Sequence, residues 1–135
     1  MLKYMLDTNI VIYVIKKRPI EVLATFNEKA GQMCMSAITL AELMHGVEKS
    51  SRPKQNLLQV EDFISRLDVL EHGNKPASHY GDIRAELEKA GQTIGVNDIH
   101  IAAHARSEGL VLVSNNLREF ERVSGLRTEN WISSH

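Results

Sequence analysis

Hydrophobic residues form two kinds of pattern along the chain: short unbroken runs, and longer stretches in which they recur every three or four positions. The short runs predict buried strands, and the longer stretches predict amphipathic helices. Strands are predicted at 2–6, 33–35, 68–71, 110–114 and 126–128. Helices are predicted from 10 to 15, from 19 to about 31, from 36 to 47, from 57 to 67, from 76 to 90, from 97 to 109 and from 116 onward.

Strands and helices alternate along the chain, which predicts the α/β class and a three-layer α/β/α sandwich around a mostly parallel sheet. No linker, internal repeat or low-complexity segment interrupts the pattern, so residues 1–135 are expected to form a single domain. Within that domain, Ser36 is expected to be the N-cap of the third helix and Asn97 the N-cap of the sixth.

The composition is that of a globular protein, with 43% hydrophobic and 24% charged residues, and it excludes wholesale disorder. A net charge of -1 argues against a protein that coats nucleic acid by bulk electrostatics. The single cysteine, Cys34, has no partner for an intramolecular disulfide, so it is expected to be buried and the protein to be cytoplasmic. No apolar run approaches the roughly 20 residues that span a bilayer, so no membrane contact is expected.

Acidic and polar side chains follow the predicted strands. Asp7 comes directly after the first strand, Glu42 lies in the helix after the second, and Asp98 opens a later helix. Asn116 and Glu119 follow the fourth strand. Open parallel α/β sheets bind ligands beyond the carboxyl ends of their strands. We therefore expect these side chains to meet at one rim of the sheet.

Several carboxylates close together repel one another, and each raises the pKa of its neighbours unless a cation lies between them. Oxygen ligands of this kind suit Mg²⁺ or Mn²⁺. Such an ion lowers the pKa of bound water and orients a phosphodiester, so phosphodiester hydrolysis is the expected reaction. Taken alone, Asp98 has the simpler interpretation of a charge that offsets a helix dipole, and Glu42 that of a solvated surface residue.

Four segments, in this order and spacing, carry a resemblance to a known family: Met5-Leu6-Asp7-Thr8-Asn9, Ala41-Glu42-Leu43, Ile94-Gly95-Val96-Asn97-Asp98, and Leu112-Val113-Ser114-Asn115-Asn116-Leu117-Arg118-Glu119-Phe120. The chain resembles the PIN-domain ribonucleases, and specifically the VapC toxins of toxin–antitoxin pairs. The resemblance covers nearly the whole chain. It implies a PIN-like fold and an endoribonuclease that depends on Mg²⁺, with Mn²⁺ able to substitute.

The resemblance also implies the roles of individual residues. Asp7, Glu42 and Asp98 would be the catalytic and metal-binding residues, and Thr8 and Asn9 would orient Asp7.

Further along the chain, Ser114 would lie at the floor of the pocket. Asn116 stands where many PIN domains carry a fourth aspartate. Because an asparagine supplies no negative charge, one well-bound ion is expected, and Glu119 could reach a second ion through water.

Partners and substrate follow from the same resemblance. It implies a cognate VapB-type antitoxin that blocks the active-site groove of a toxin homodimer. It implies structured RNA as the substrate, with transfer RNA, and initiator transfer RNA cut in its anticodon region, as the expected case. Such cleavage would block translation. Contact with DNA is expected only indirectly, through the antitoxin.

Three basic clusters could hold RNA phosphates: Lys16-Lys17-Arg18, Lys49 with Arg52 and Lys54, and Arg118 with Arg122. A solvated helix face is the favoured interpretation for most of them. No aromatic residues are interleaved with the basic ones, so base stacking is expected to be minor. His100 and His104 have a spacing that can chelate zinc, but no suitable further ligand lies beside them in the sequence, which argues against such a site.

Two other classes of function fit parts of the sequence. The first is a non-catalytic PIN-like module, degenerate at Asn116, that binds RNA or a protein without cleavage; the intact Asp7, Glu42 and Asp98 argue against it. The second is a phosphoryl-accepting receiver domain. It would need a second acidic residue beside Asp7 and a lysine after a late strand, and the sequence has neither.

Overall fold

The computed structural model describes residues 1–132, and within them it contains five strands and seven helices. The strands are β1 (Tyr4–Leu6), β2 (Met33–Ser36), β3 (Asp68–Leu70), β4 (Val111–Val113) and β5 (Thr128–Glu129). The helices are α1 (Thr8–Lys17), α2 (Ile20–Glu28), α3 (Ala37–Glu48), α4 (Pro53–Ile64), α5 (Lys75–Lys89), α6 (Val96–Ser107) and α7 (Leu117–Phe120). The predicted single domain includes residues 133–135, which lie outside the described residues.

The strands form one sheet in the order β3-β2-β1-β4-β5, and every neighbouring pair is parallel. The prediction of an α/β fold with a mostly parallel sheet is confirmed. The strand order reverses between β1 and β4, which is the point where open sheets of this kind bind ligands. In receiver-type sheets the first and third strands are neighbours. Here β1 pairs with β2 and β4, so the receiver alternative is wrong.

Successive side chains of each strand point to opposite faces of the sheet and so divide the core into two layers. Met5 packs in one layer and Leu6 in the other, and Leu112 and Val113 divide in the same way. Helices α5, α6 and α7 cover the first layer, whereas α1 to α4 cover the second. The sheet is therefore the middle layer of three, as predicted. No helix in the described part of the chain is long and apolar enough to cross a membrane.

Local details agree with the sequence in some places and differ in others. The Ser36 hydroxyl accepts a hydrogen bond from the Ile38 N–H at 3.1 Å, so its predicted N-cap role is confirmed. Cys34 is buried, as predicted, and burial raises the pKa of its thiol to about 12. The predicted N-cap at Asn97 is wrong: the cap is Gly95, two residues earlier, and α6 begins at Val96.

Candidate active site

Asp7 lies where β1 ends and α1 begins, and its side chain is only 1% exposed. The hydroxyl of Ser114, at the end of the neighbouring strand β4, donates a 2.9 Å hydrogen bond to Asp7 Oδ2. Burial raises the pKa of Asp7, and the Ser114 hydrogen bond together with the nearby backbone N–H groups of Thr8 and Asn9 offsets part of that rise. The carboxylate is thus held in one orientation at the switch point of the sheet.

Glu42 lies on α3 and is held from two sides. The Thr8 hydroxyl donates a 2.7 Å hydrogen bond to Glu42 Oε1, and the Asn97 side-chain amide donates to Oε2 at 3.4 Å. Thr8 therefore serves Asp7 through its backbone and Glu42 through its side chain. The sequence predicted neither contact of Glu42. For the contact with Asn97, the one signal in the sequence was the position of Asn97 beside Asp98 in the PIN-like motif.

Asp98 lies in the first turn of α6, close to the other acidic side chains. Burial, a hydrogen bond with Glu119 and the negative charges of Asp7, Glu119 and Glu42 together raise the pKa of Asp98 to about 8. In the absence of a cation these surroundings favour the protonated form of the Asp98 carboxyl group. Glu119 reaches the site through Asp98.

The three predicted carboxylates open into one groove of about 550 Å³. We call it the carboxylate groove; its lining includes Asp7, Thr8, Asn9, Glu42, His45, Lys49, Asn97 and Asp98. Asn116 does not line it. That residue lies in a neighbouring groove, and its backbone N–H donates to the Ser114 hydroxyl at 3.0 Å. The structure thus brings together the three residues that the sequence placed at separate strand ends.

The donor set of the carboxylate groove fits a hard divalent cation. Its acidic donors are carboxylate oxygens, and a cation among them would offset both the burial and the neighbouring negative charges that raise the pKa of Asp98. No three His, Cys, Asp or Glu side chains among residues 1–132 are grouped closely enough to hold an ion by themselves. Mg²⁺ is commonly bound through one or two carboxylates and keeps several waters. The separation of the acidic side chains therefore fits an ion that some of them contact through water.

The two histidines of α6 do not point to a common ligand. His104 Nδ1 lies 2.8 Å from the Ser36 hydroxyl, whereas the His100 ring stacks on Tyr80 with centroids 4.3 Å apart. A third ring, that of His72, lies edge-on to both. The pair therefore packs between α5 and the end of β2, with His72 as a third histidine beside it that the sequence did not indicate.

Comparisons with known proteins bear on this site. A family model of the PIN domain matches residues 4–126. The chain is 67% identical over 132 residues to ribonuclease VapC2 of Haemophilus influenzae, which covers 98% of this chain and 100% of the relative. The chain belongs to the PIN-domain family, in its VapC branch. It is also 55% identical to the tRNA(fMet)-specific endonuclease VapC of Shigella flexneri, over 97% of this chain and 99% of that one.

Solved structures of other PIN-domain proteins have the same fold. The crystal structure of DNA-bound VapBC from Salmonella typhimurium matches with a TM-score of 0.95 and 53% identity, over 98% of this chain and 100% of that one. The structure of VapBC2 from Rickettsia felis bound to a promoter DNA fragment matches with a TM-score of 0.94 and 41% identity, over 97% and 100%. The family expected from the sequence motifs is therefore confirmed.

Proposed function

We propose that this PIN-domain protein is a metal-dependent endoribonuclease and the toxin of a toxin–antitoxin pair. The observation that carries the proposal is the convergence of Asp7, Glu42 and Asp98 on one groove at the switch point of the sheet. The ribonuclease VapC2 relative supports RNA as the substrate. The name of the Shigella flexneri relative supports initiator transfer RNA, whose cleavage would block translation in the cytoplasm.

Mg²⁺, or Mn²⁺ in its place, is proposed to be held by Asp7, Asp98 and Glu42. When bound, the ion supplies Lewis acidity that lowers the pKa of water and offsets negative charge on the phosphodiester. The protein supplies the orientation: the Ser114 hydroxyl fixes Asp7, and the Thr8 hydroxyl fixes Glu42. The surroundings of Asp98 favour its protonated form, and positive charge in the site would favour its ionised form instead.

The proposed partner is a cognate VapB-type antitoxin, with the toxin as a homodimer. The solved VapBC complexes of Salmonella typhimurium and Rickettsia felis support this arrangement. Both of those complexes are bound to DNA. Because this chain has a net charge of -1, we propose that it contacts DNA only indirectly, through the antitoxin.

A cleavage assay tests the proposed reaction. Purified protein is incubated with initiator transfer RNA in Mg²⁺, in Mn²⁺ or in EDTA, and cleavage is expected with either ion but not in EDTA. Glu42→Gln is expected to slow cleavage by about two orders of magnitude, because it removes one of the charges that attract the ion. Glu48→Gln, an exposed change on the same helix, serves as the control and should cleave at the wild-type rate.

Intact transfer RNA after incubation of folded protein with either ion would contradict the proposal. RNA binding without cleavage would then favour the non-catalytic PIN-like module.

A further inference from the structure

A second groove of about 280 Å³ opens beside the carboxylate groove. It lies between α1 and the segment that follows β4, and we call it the flanking groove. Its lining includes Tyr13, Lys16 and Lys17 from α1, and Asn115 and Asn116 from the segment after β4. One aromatic ring, two ammonium groups and two amides thus surround one small space, and the proposed catalytic mechanism uses none of them.

The two grooves are continuous along α1. Asn9 and Ile12 line both of them. Asn9, Tyr13 and Lys16 recur at intervals of three and four residues, which places them on one face of the helix. A polymer that lies in the carboxylate groove and follows this face therefore enters the flanking groove directly.

The cations of the flanking groove are available to a ligand. Lys16 and Lys17 are exposed, and neither forms an ion pair with a carboxylate within residues 1–132. By contrast, Lys29 and Lys75 each contact a glutamate. A lysine that is already paired with a carboxylate is less available to a ligand. Unpaired ammonium groups next to the carboxylate groove are therefore suited to binding phosphates.

The remaining side chains supply the contacts that a nucleobase needs. Tyr13 is half-buried, so its ring is partly fixed against the protein while part of it faces the groove. Asn115 Oδ1 is shielded from solvent and has no hydrogen-bond partner in the described part of the chain. A shielded acceptor without a partner is unfavourable. Because Asn115 lines the groove, a rotation of its amide would bring this acceptor to a base edge.

We infer that the flanking groove is a subsite for one unpaired nucleotide next to the scissile phosphate. Tyr13 stacks on the base, Lys16 and Lys17 contact its phosphates, and the Asn115 amide contacts the base edge. A base within a duplex is already stacked and paired, so the subsite selects loops and other single-stranded RNA. The inference rests on the proposed ribonuclease function. It replaces the expectation that base stacking is minor.

Fluorescence anisotropy with a labelled, unpaired oligoribonucleotide in EDTA measures binding without cleavage. Tyr13→Ala is expected to weaken binding about tenfold, because it removes the stacking surface. Tyr13→Phe keeps the ring and should bind within about twofold of wild type. Replacing both Lys16 and Lys17 with Gln should reduce the slope of log affinity against log salt by about 1.4, or about 0.7 for each lysine. Lys89→Gln, a change of the same kind on α5 outside both grooves, is the control and should change neither quantity.

Circular dichroism melting curves first establish that each variant is folded. Wild-type affinity in the folded Tyr13→Ala variant would overturn the subsite, and so would an equal loss of affinity for a duplex of the same sequence. If the variants bind RNA as expected but the wild-type protein leaves RNA intact in Mg²⁺, the subsite is supported and the proposed ribonuclease activity is contradicted. RNA cleavage in Mg²⁺ with a KM unchanged by Tyr13→Ala would support the ribonuclease activity and contradict the subsite.

Discussion

Asp98 is a carboxyl group placed among other carboxyl groups. Burial, the hydrogen bond with Glu119 and the charges of Asp7 and Glu42 all favour its protonated form, which raises the pKa to about 8. In the unfolded chain the same group ionises near the ordinary aspartate pKa of 3.8. The folded protein therefore binds this proton more tightly than the unfolded chain does. The stability that results is present at low pH and is lost as the pH rises from about 4 to about 8.

Asp98→Asn is expected to raise the melting temperature of the metal-free protein at pH 8.5 by about 2–5 °C, because it removes a repelled, partly desolvated charge. The difference should shrink towards pH 4, where the folded wild-type carboxyl is also neutral and the unfolded one is partly protonated. Added Mn²⁺ should reduce or reverse it by stabilising the wild type alone. Differential scanning calorimetry measures all three effects, with the exposed Asp68→Asn change as the control. A melting temperature below that of wild type at pH 8.5 would contradict this account.

Among individual residues, the sequence predicted which carboxylates would meet in one groove but not which side chains hold them there. Asp7 and Asp98 could be found because each lies at an element boundary, where a parallel sheet gathers ligands. The bond from Ser114 to Asp7 joins residues 107 positions apart, and the bond from Asn97 to Glu42 joins residues 55 apart. Such contacts depend on how the elements are packed, which local periodicity does not encode.

Helix α6 is joined to the junction of β2 and α3 by a buried hydrogen bond. His104 is 1% exposed, and its Nδ1 lies 2.8 Å from the Ser36 hydroxyl. That hydroxyl accepts from the Ile38 N–H, so its proton can be donated to His104 Nδ1, which must then be unprotonated. Burial and then the nearby His72 lower the pKa of His104. Because α6 carries Asp98 and α3 carries Glu42, this contact helps to set the position of two carboxylates.

The lowered pKa of His104 predicts that the protein loses stability in mild acid. Above the unfolded-state pKa of 6.5 the ring is neutral in both states, and the stability is fully present. Below it, the unfolded chain binds a proton that the folded protein resists, so stability falls as the pH decreases towards the folded-state pKa. Urea denaturation at pH 7.5 and pH 5.0 should show a smaller loss for His104→Gln than for wild type. An exposed change on α3, His45→Gln, should leave the wild-type loss intact; an equal loss in His104→Gln would exclude this origin.

The elements themselves were largely predictable, and the errors have identifiable causes. The apolar run around Leu112 marked β4 because a parallel strand is covered on both faces. The last strand was predicted at 126–128, but β5 is Thr128–Glu129. Leu126 packs against the core without joining the ladder, so its hydrophobicity misplaced the strand. The position of an edge strand is set by its neighbour's backbone groups.

For the whole molecule, the layered architecture could be predicted from the sequence, but the order of the strands in the sheet could not. Alternating strands and helices require helices on both faces of a parallel sheet. The pairing of β1 with β4 brings together segments more than 100 positions apart, and no local pattern specifies it. That pairing creates the switch point at which the carboxylates meet. Family motifs, rather than periodicity, connected the four segments before the fold was known.

A free ribonuclease toxin should arrest the growth of the cell that makes it. Induced expression of the chain alone is expected to stop growth, because cleavage of transfer RNA blocks translation. Co-expression of a cognate VapB-type antitoxin should restore growth. Growth curves report both results, and an immunoblot of the soluble fraction shows that the protein is present. Normal growth with confirmed soluble expression of the chain alone would contradict the toxin proposal.

The most direct test compares wild type with Asp7→Asn in the cleavage of initiator transfer RNA at one Mg²⁺ concentration that does not saturate the variant. Asparagine keeps the shape of the side chain and an acceptor for the Ser114 hydroxyl, so circular dichroism should show an unchanged fold. The cleavage rate is predicted to fall by about two orders of magnitude or more, because the charge that attracts the ion at the switch point is gone. A folded Asp7→Asn variant that cleaves at the wild-type rate would contradict the central claim.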